Sequence, residues 1–212
     1  MTGKISASSV AKGAWVLVVV GAVTTYGWSR LRGVDEKVSR ISAQDFVRAS
    51  EGGQLLGGGP DTVVVFSNYG CKFCVDLFLA IDSVLAADHL ALTVRVRHFA
   101  VPAADSAPFV AAVAAECAGE QGRFARLNLW LFRNHSRLRF LTPTEAASAA
   151  GISDVKAFQT CLRSRQARSL VLRDVLAGTR LGVHATPTIV THRYRVTGIL
   201  PVAQLLGLAS GR

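Results

Sequence analysis

The sequence predicts an α/β fold with a helical block inserted between its first and last strands, preceded by one N-terminal transmembrane helix. Three observations carry this. A β-branched apolar run, Val63–Phe66, leads straight into Cys71-Lys72-Phe73-Cys74 and then into apolar positions at helical spacing. From Ser106 to Gly182 the apolar residues keep the helical period and the stops are helix caps, and two short strand patterns follow. Gly13–Trp28 is free of charge over 16 residues.

Length and composition set the frame. The chain has 212 residues, 50% hydrophobic and 18% charged, with 19 glycines and 6 prolines. That excludes a disordered chain, a collagen, a small disulfide-stapled scaffold and a polytopic membrane protein. The net charge is +10, carried almost wholly by arginines scattered from Arg30 to Arg212. No run of five basic residues, zinc-finger spacing or RNA-binding signature accompanies them, so a solvated basic surface, in reach of an anionic membrane, is preferred to nucleic-acid binding.

Residues 1–12 form a short cytoplasmic tail with Lys4 and Lys12, and 13–28 a signal-anchor. Sixteen helical residues span about 24 Å, slightly short of the bilayer core of about 30 Å. Trp15, Tyr26 and Trp28 lie near the two ends, as interfacial aromatics do. A cleaved signal peptide competes, but TTYGWSR offers no good small-x-small site. Arg30, Arg32, Lys37 and Arg40 outnumber Lys4 and Lys12, so the positive-inside count argues against export, and the cysteines must arbitrate.

Residues 29–60 read as a linker with a short helix near Ala43–Ser50, ending in the glycine-rich EGGQLLGGGPD. The folded domain spans 61–208, with the helical insertion at about 103–181. Leu92–Val101 alternates as a half-buried strand, placing Val94, Val96 and His98 on one face and Arg95 and Arg97 on the other. Ser106 opens a helix that ends near Gly119, and Gly122–His135 is a second. Thr142-Pro143-Thr144-Glu145 is a capping box, and Gly151 closes that helix. Ser153 starts another through Leu162, and Arg165–Leu181 is stopped by Gly182. Thr188–Thr191 and Tyr194–Thr197 are strands, and Val202–Ala209 is the last helix.

Four cysteines stand at 71, 74, 117 and 161. Structural zinc wants a second close pair or two nearby histidines, haem attachment a histidine where Val75 stands, and an iron–sulfur cluster closer thiolates. Redox chemistry remains, beside the bland alternative of two inert buried thiols. A helix N-terminus offers unpaired N–H groups to a Cys71 thiolate and lowers its pKa, and Cys74, one turn on, is placed to resolve a mixed disulfide. Cys117 and Cys161, the two left over on apolar helical stretches, are expected to pair, the alternative being two separate buried thiols. A further disulfide places the domain outside the cytoplasm.

Gly182-Val183-His184-Ala185-Thr186-Pro187-Thr188 leads directly into a strand, where a proline fits the first position. With the CxxC some 110 residues earlier and the helical block between, the stretch Asp61–Leu208 resembles the DsbA-like thiol–disulfide oxidoreductases: a thioredoxin-like fold with an inserted helical subdomain, of the kind bacteria tether to the membrane. The resemblance implies that Cys71 is the nucleophile, Cys74 the resolving thiol, Pro187 a cis-proline facing them, and the Thr186 backbone a partner for substrate peptide. The segments around Cys117 and Cys161 resemble that family's insertion. The implied partners are exported polypeptides and a quinone-linked, DsbB- or VKOR-like membrane oxidase, with no metal or organic cofactor.

Two departures are visible. Many thioredoxin-fold enzymes carry a buried acid six residues before the first cysteine; here that position is Val65. The central pair is Lys72-Phe73. Lys72 either adds charge beside the Cys71 thiolate or is a solubilising lysine. His184, near the proline loop, is the one histidine worth testing, while His98 suits a core or strand-end position. The expected activity is oxidation of exported clients, with a reductase of the same fold and a Cu(I)-binding chaperone as alternatives.

Overall fold

The computed structural model describes residues 38–86, 92–100 and 106–210. The expected transmembrane segment at 13–28 lies outside them, and no described helix is long and apolar enough to cross a membrane. The chain divides into two units, Met1–Ser39 and Arg40–Arg212. The described part of the first is the start of a short strand, β1 (Val38–Arg40).

In the second unit, helix α1 (Ala43–Ser50) forms where expected. The Ser42 hydroxyl accepts from the Asp45 N–H at 3.1 Å, and Asp45 stands in the first turn, where the helix dipole favours an acid. The glycine-rich stretch assigned to the linker contains a strand instead, β2 (Gln54–Gly57). It pairs antiparallel with β4 (Leu92–His98), Leu56 opposite Val94, and Leu56 is buried. The glycines that hid it are demanded by this pairing. At Gly53 (φ +73°) and Gly57 (φ +75°) a Cβ would stand 2.4 Å and 2.3 Å from the carbonyl oxygens of Val96 and Leu92.

Strand β3 (Asp61–Ser67) is central: it runs parallel to β4 and antiparallel to β5 (Thr188–Val190), which continues into β6 (Tyr194–Thr197). Within this unit the sheet order is β6-β5-β3-β4-β2. Val63 to Phe66 expose nothing, since both faces of β3 are covered. On one face Val64, Phe66 and Val190 pack with Ala49 and Val183. On the other, Phe78 stacks on Phe132 at 4.4 Å between ring centroids, and Tyr69 meets the same ring at 4.6 Å.

The alternation of β4 is as expected, but Arg97 does not face solvent. It is 3% exposed beneath α1 and α7 (Arg165–Arg180). Its Nε donates to Asp174 Oδ1 at 2.5 Å, and its Nη1 donates to the carbonyls of Ala49 and Glu51. Strand β4 ends at His98 rather than Val101; the Phe99 N–H still donates to the Ser67 carbonyl at 2.7 Å, the bond that completes the Ser67–His98 pair.

Helix α2 (Lys72–Ala86) begins inside the CxxC and takes Cys74 into its first turn. The inserted block comprises α3 (Ala107–Gly119), α4 (Phe124–Arg133), a 3-10 turn (His135–Phe140), α5 (Pro143–Ala150), α6 (Val155–Leu162) and α7. Ser106 occupies the cap position of α3 without a side-chain bond, Pro having taken the first turn. The capping box at Thr142 and Glu145 is formed, and Gly151 closes α5 at φ 68°. Asp154, not Ser153, caps α6, its carboxylate accepting from the Ala157 N–H. Cys117 in α3 and Cys161 in α6 are joined by a disulfide, with S–S 2.03 Å. Helix α8 (Val202–Ser210) ends the described chain.

Candidate active site

The β3-to-α2 corner is built by short-range bonds. Asn68 Oδ1 accepts from the Gly70 N–H at 2.8 Å, and the Asn68 carbonyl accepts from the Cys71 N–H at 3.0 Å. Tyr69 is 2% exposed, and its hydroxyl donates to Asn128 Oδ1 of α4 at 2.9 Å, so the corner is tied to the inserted helices. Two residues on, Cys71 stands immediately before α2, whose first turn presents the N–H groups of Phe73 and Cys74 to its sulfur.

The loop before β5 supplies the facing wall. Thr186-Pro187 is a cis peptide, and the Gly198 N–H donates to the Pro187 carbonyl at 2.8 Å. Cys71 Sγ, as a thiol, donates to the Thr186 carbonyl at 3.1 Å. The sequence-predicted Cys71, Cys74, Thr186 and Pro187 therefore share one site, although 115 residues separate the first from the third.

The two sulfurs are electrostatically unlike. Cys71 is half-buried and Cys74 buried. The Cys71 pKa is lowered from about 9 to about 5, chiefly because the Cys74 thiol donates to its thiolate. Burial opposes this, and the Thr186 side chain and the two backbone N–H groups add to the lowering. Cys74 is raised well above the ordinary thiol range: its proton is held by Cys71, and burial disfavours its charge. One thiolate beside one retained proton is an arrangement chemically able to attack a disulfide and to supply a second thiol to the mixed disulfide so formed.

Other predicted residues stand at the margin. Lys72 is exposed, and Phe73, 60% exposed, offers an apolar surface next to Cys71. His184 is exposed, and its Nδ1 pairs with the Gly182 carbonyl of its own loop at 2.9 Å. Val65 is fully buried, as an acid at that position would be.

Sequence reasoning missed a buried ionic cluster. His98 Nε2 meets Glu116 Oε1 at 3.0 Å, Gln54 Nε2 donates to Glu116 Oε2 at 2.8 Å, and Asp174 accepts from Arg97 and from the His98 N–H. Burial works to raise Glu116, but the bonds from His98 and Gln54 outweigh it and hold it below the usual range. Burial pushes Asp174 upward, against which His98 and Arg97 hold its negative charge. The ligand atoms of His98, Glu116 and Asp174 lie within 4.8 Å of one another, the spacing of a metal site. Each already has a protein partner, however, and Arg97 supplies the cation that an ion would. A lone acid in the alanine-rich run of α3, and another at the inward position of α7, were the available signals. The paired thiols Cys71 and Cys74 are the other group able to hold a soft metal.

Comparison with known proteins agrees with this architecture. The thioredoxin family profile matches residues 58–208. The Na(+)/H(+) antiporter NhaA 1 of Mycolicibacterium gilvum is 32% identical over 161 residues, 73% of this chain but 26% of the antiporter. This chain thus spans about a quarter of the length of the curated relatives it matches. A thioredoxin-like oxidoreductase from Silicibacter pomeroyi superposes with TM-score 0.63 at 20% identity, covering 79% of this chain and 96% of that one. A variant of α-DsbA1 from Wolbachia pipientis gives TM-score 0.64 at 16% identity, covering 80% and 95%. These two likenesses are of fold. With the profile spanning both the CxxC corner and the Thr186-Pro187 loop, the chain belongs to the thioredoxin family.

Proposed function

We propose that the protein is an extracytoplasmic thiol–disulfide oxidoreductase that introduces disulfides into exported polypeptides, held at the membrane by residues 13–28. The observation that carries this is the Cys71 thiolate, half-buried with its pKa lowered to about 5, beside a Cys74 that keeps its proton. In the oxidised enzyme a client thiolate attacks Cys71 Sγ, the Cys71–Cys74 bond breaks, and Cys74 leaves with the electron pair and takes a proton. A second client thiolate then attacks the client sulfur of the mixed disulfide, and Cys71 leaves as thiolate. The client loses two electrons and the enzyme gains them; a quinone-linked membrane oxidase would remove them. A thiol of such low pKa is a good leaving group, which favours donation of the disulfide. The Thr186 carbonyl, beside Cys71, would pair with client backbone, and Phe73 would meet its apolar side chains.

The Cys117–Cys161 disulfide supports an oxidising compartment, where such bonds persist. The ion exchange named for the antiporter relatives belongs to proteins of which this chain spans about a quarter, and it is not carried over. Three activities are separated by one set of measurements: oxidation of reduced, unfolded ribonuclease by the oxidised protein, equilibration with glutathione, and metal analysis of the reduced form. Client oxidation with a potential between about −120 and −200 mV supports the oxidase. A value near −270 mV hands the case to a reductase. Tight Cu(I) retention without thiol transfer hands it to a copper chaperone.

A further inference from the structure

The outer face of α7 carries no acid. Arg165, Ser169, Leu172, Leu176 and Arg180 are exposed in steps of three or four residues, with Gln166, Arg173 and Thr179 exposed beside them, while the helix's one acid, Asp174, turns inward to Arg97. Leu172 and Leu176 are 39% and 55% exposed. Leucines held in water between arginines are the composition of a helix that lies in a membrane interface.

A cavity of about 350 Å³ opens beside this face. Its exposed lining includes Arg173 and Arg180 of α7 and Arg48 of α1, the last also paired with Asp45 of its own helix at 3.3 Å, against one exposed carboxylate, Glu51. The deeper carboxylates, Asp174 and Glu116, are already engaged by Arg97, His98 and Gln54. The mouth therefore carries an excess of positive charge, resting mainly on Arg173 and Arg180.

We propose that this face of α7 and α1 docks the domain on the surface of an anionic phospholipid bilayer, with Leu172 and Leu176 entering the interface and Arg48, Arg173 and Arg180 at lipid phosphates. Nucleic acid or an acidic polypeptide would satisfy the arginines but leave both leucines wet. The net charge of +10 gives the same sign of attraction at longer range. This surface is independent of the thiol chemistry.

The test is arginine modification by phenylglyoxal, read by mass spectrometry, on the full chain in phosphatidylcholine vesicles with and without phosphatidylglycerol at about one part in three. Arg173 and Arg180 should react at least about fivefold more slowly on the anionic vesicles, relative to Arg137 on the 3-10 turn. Salt near 1 M, where the screening length is about 3 Å, should relieve the protection, and Leu176→Gln should weaken it. Equal reactivity on the two vesicles would overturn the proposal. So would the same protection in detergent by poly-glutamate, which would mean an acidic polypeptide, or by inorganic phosphate, which would mean a free anion.

Discussion

At the scale of single residues, the site rests on the difference between two sulfurs. Cys71 is lowered to about 5 chiefly by the hydrogen bond from Cys74, so its thiolate is present at neutral pH and is lost only as pH falls through about 5. The resulting preference for the reduced, folded form is fully present above the ordinary thiol value near 9, falls steadily as pH drops from about 9 to about 5 so that about half remains at neutrality, and is lost below about 5. Iodoacetamide should therefore alkylate Cys71 with a rate midpoint near pH 5, Cys74 remaining unreactive through pH 9; a midpoint near 8 would contradict the geometry. Cys71→Ser should abolish exchange, whereas Cys74→Ser should accumulate mixed disulfides with client proteins on a non-reducing gel. Equal trapping by the two variants would refute the assignment of roles. The pair was legible in the sequence because the strand-to-helix junction and the spacing of the thiols are both local. The Thr186 carbonyl, 115 residues away, came only through the family resemblance.

At the scale of elements, the bonds that matter were the hardest to read. Period-two alternation gave the two faces of β4 but not what covers them, so Arg97 passed for a solvated residue. It joins β4 to α7 through Asp174 and to α1 through the carbonyls of Ala49 and Glu51. Asp174→Ala would leave that guanidinium buried without its anion and should cost about 3–5 kcal/mol in urea unfolding. Asp174→Asn, which keeps an acceptor, should cost less, and a loss under about 1 kcal/mol for the alanine variant would show that the cluster does not tie these elements together. Strand β2 was hidden for a related reason. Its glycines signal a linker by composition, yet they are there because Val96 and Leu92 approach too closely for any side chain. The helices with capping boxes or positive-φ glycine stops were read within a residue or two, since a cap is written in three or four neighbouring positions.

At the scale of the whole chain, the disulfide between α3 and α6 closes a loop with a sequence separation of 44. In the chain-entropy view it stabilises by about 4 kcal/mol, so a Cys117→Ala/Cys161→Ala variant should unfold at correspondingly lower urea. Thiol titration of unfolded, unreduced Cys71→Ser/Cys74→Ser protein should find no free thiol; finding two would show that the bond is not formed. The same bond argues for export, against the basic residues that flank 13–28, because long domains translocate largely regardless of such charge. Protease added to intact spheroplasts should digest the domain, and protection until lysis would reverse the orientation.

The activity proposed for this chain carries a hazard of its own: the bond in its own scaffold would be a substrate for a second copy. Attack on a disulfide needs a line of approach along the S–S axis, and here Cys117 and Cys161 are 1% and 7% exposed. Burial thus acts as a kinetic firewall. The active-site pair stays in free trade with clients and solvent reductants, while the pair between α3 and α6 is withdrawn from self-exchange, so concentrated solutions of the protein should stay monomeric by mixed-disulfide criteria even as Cys71 turns over.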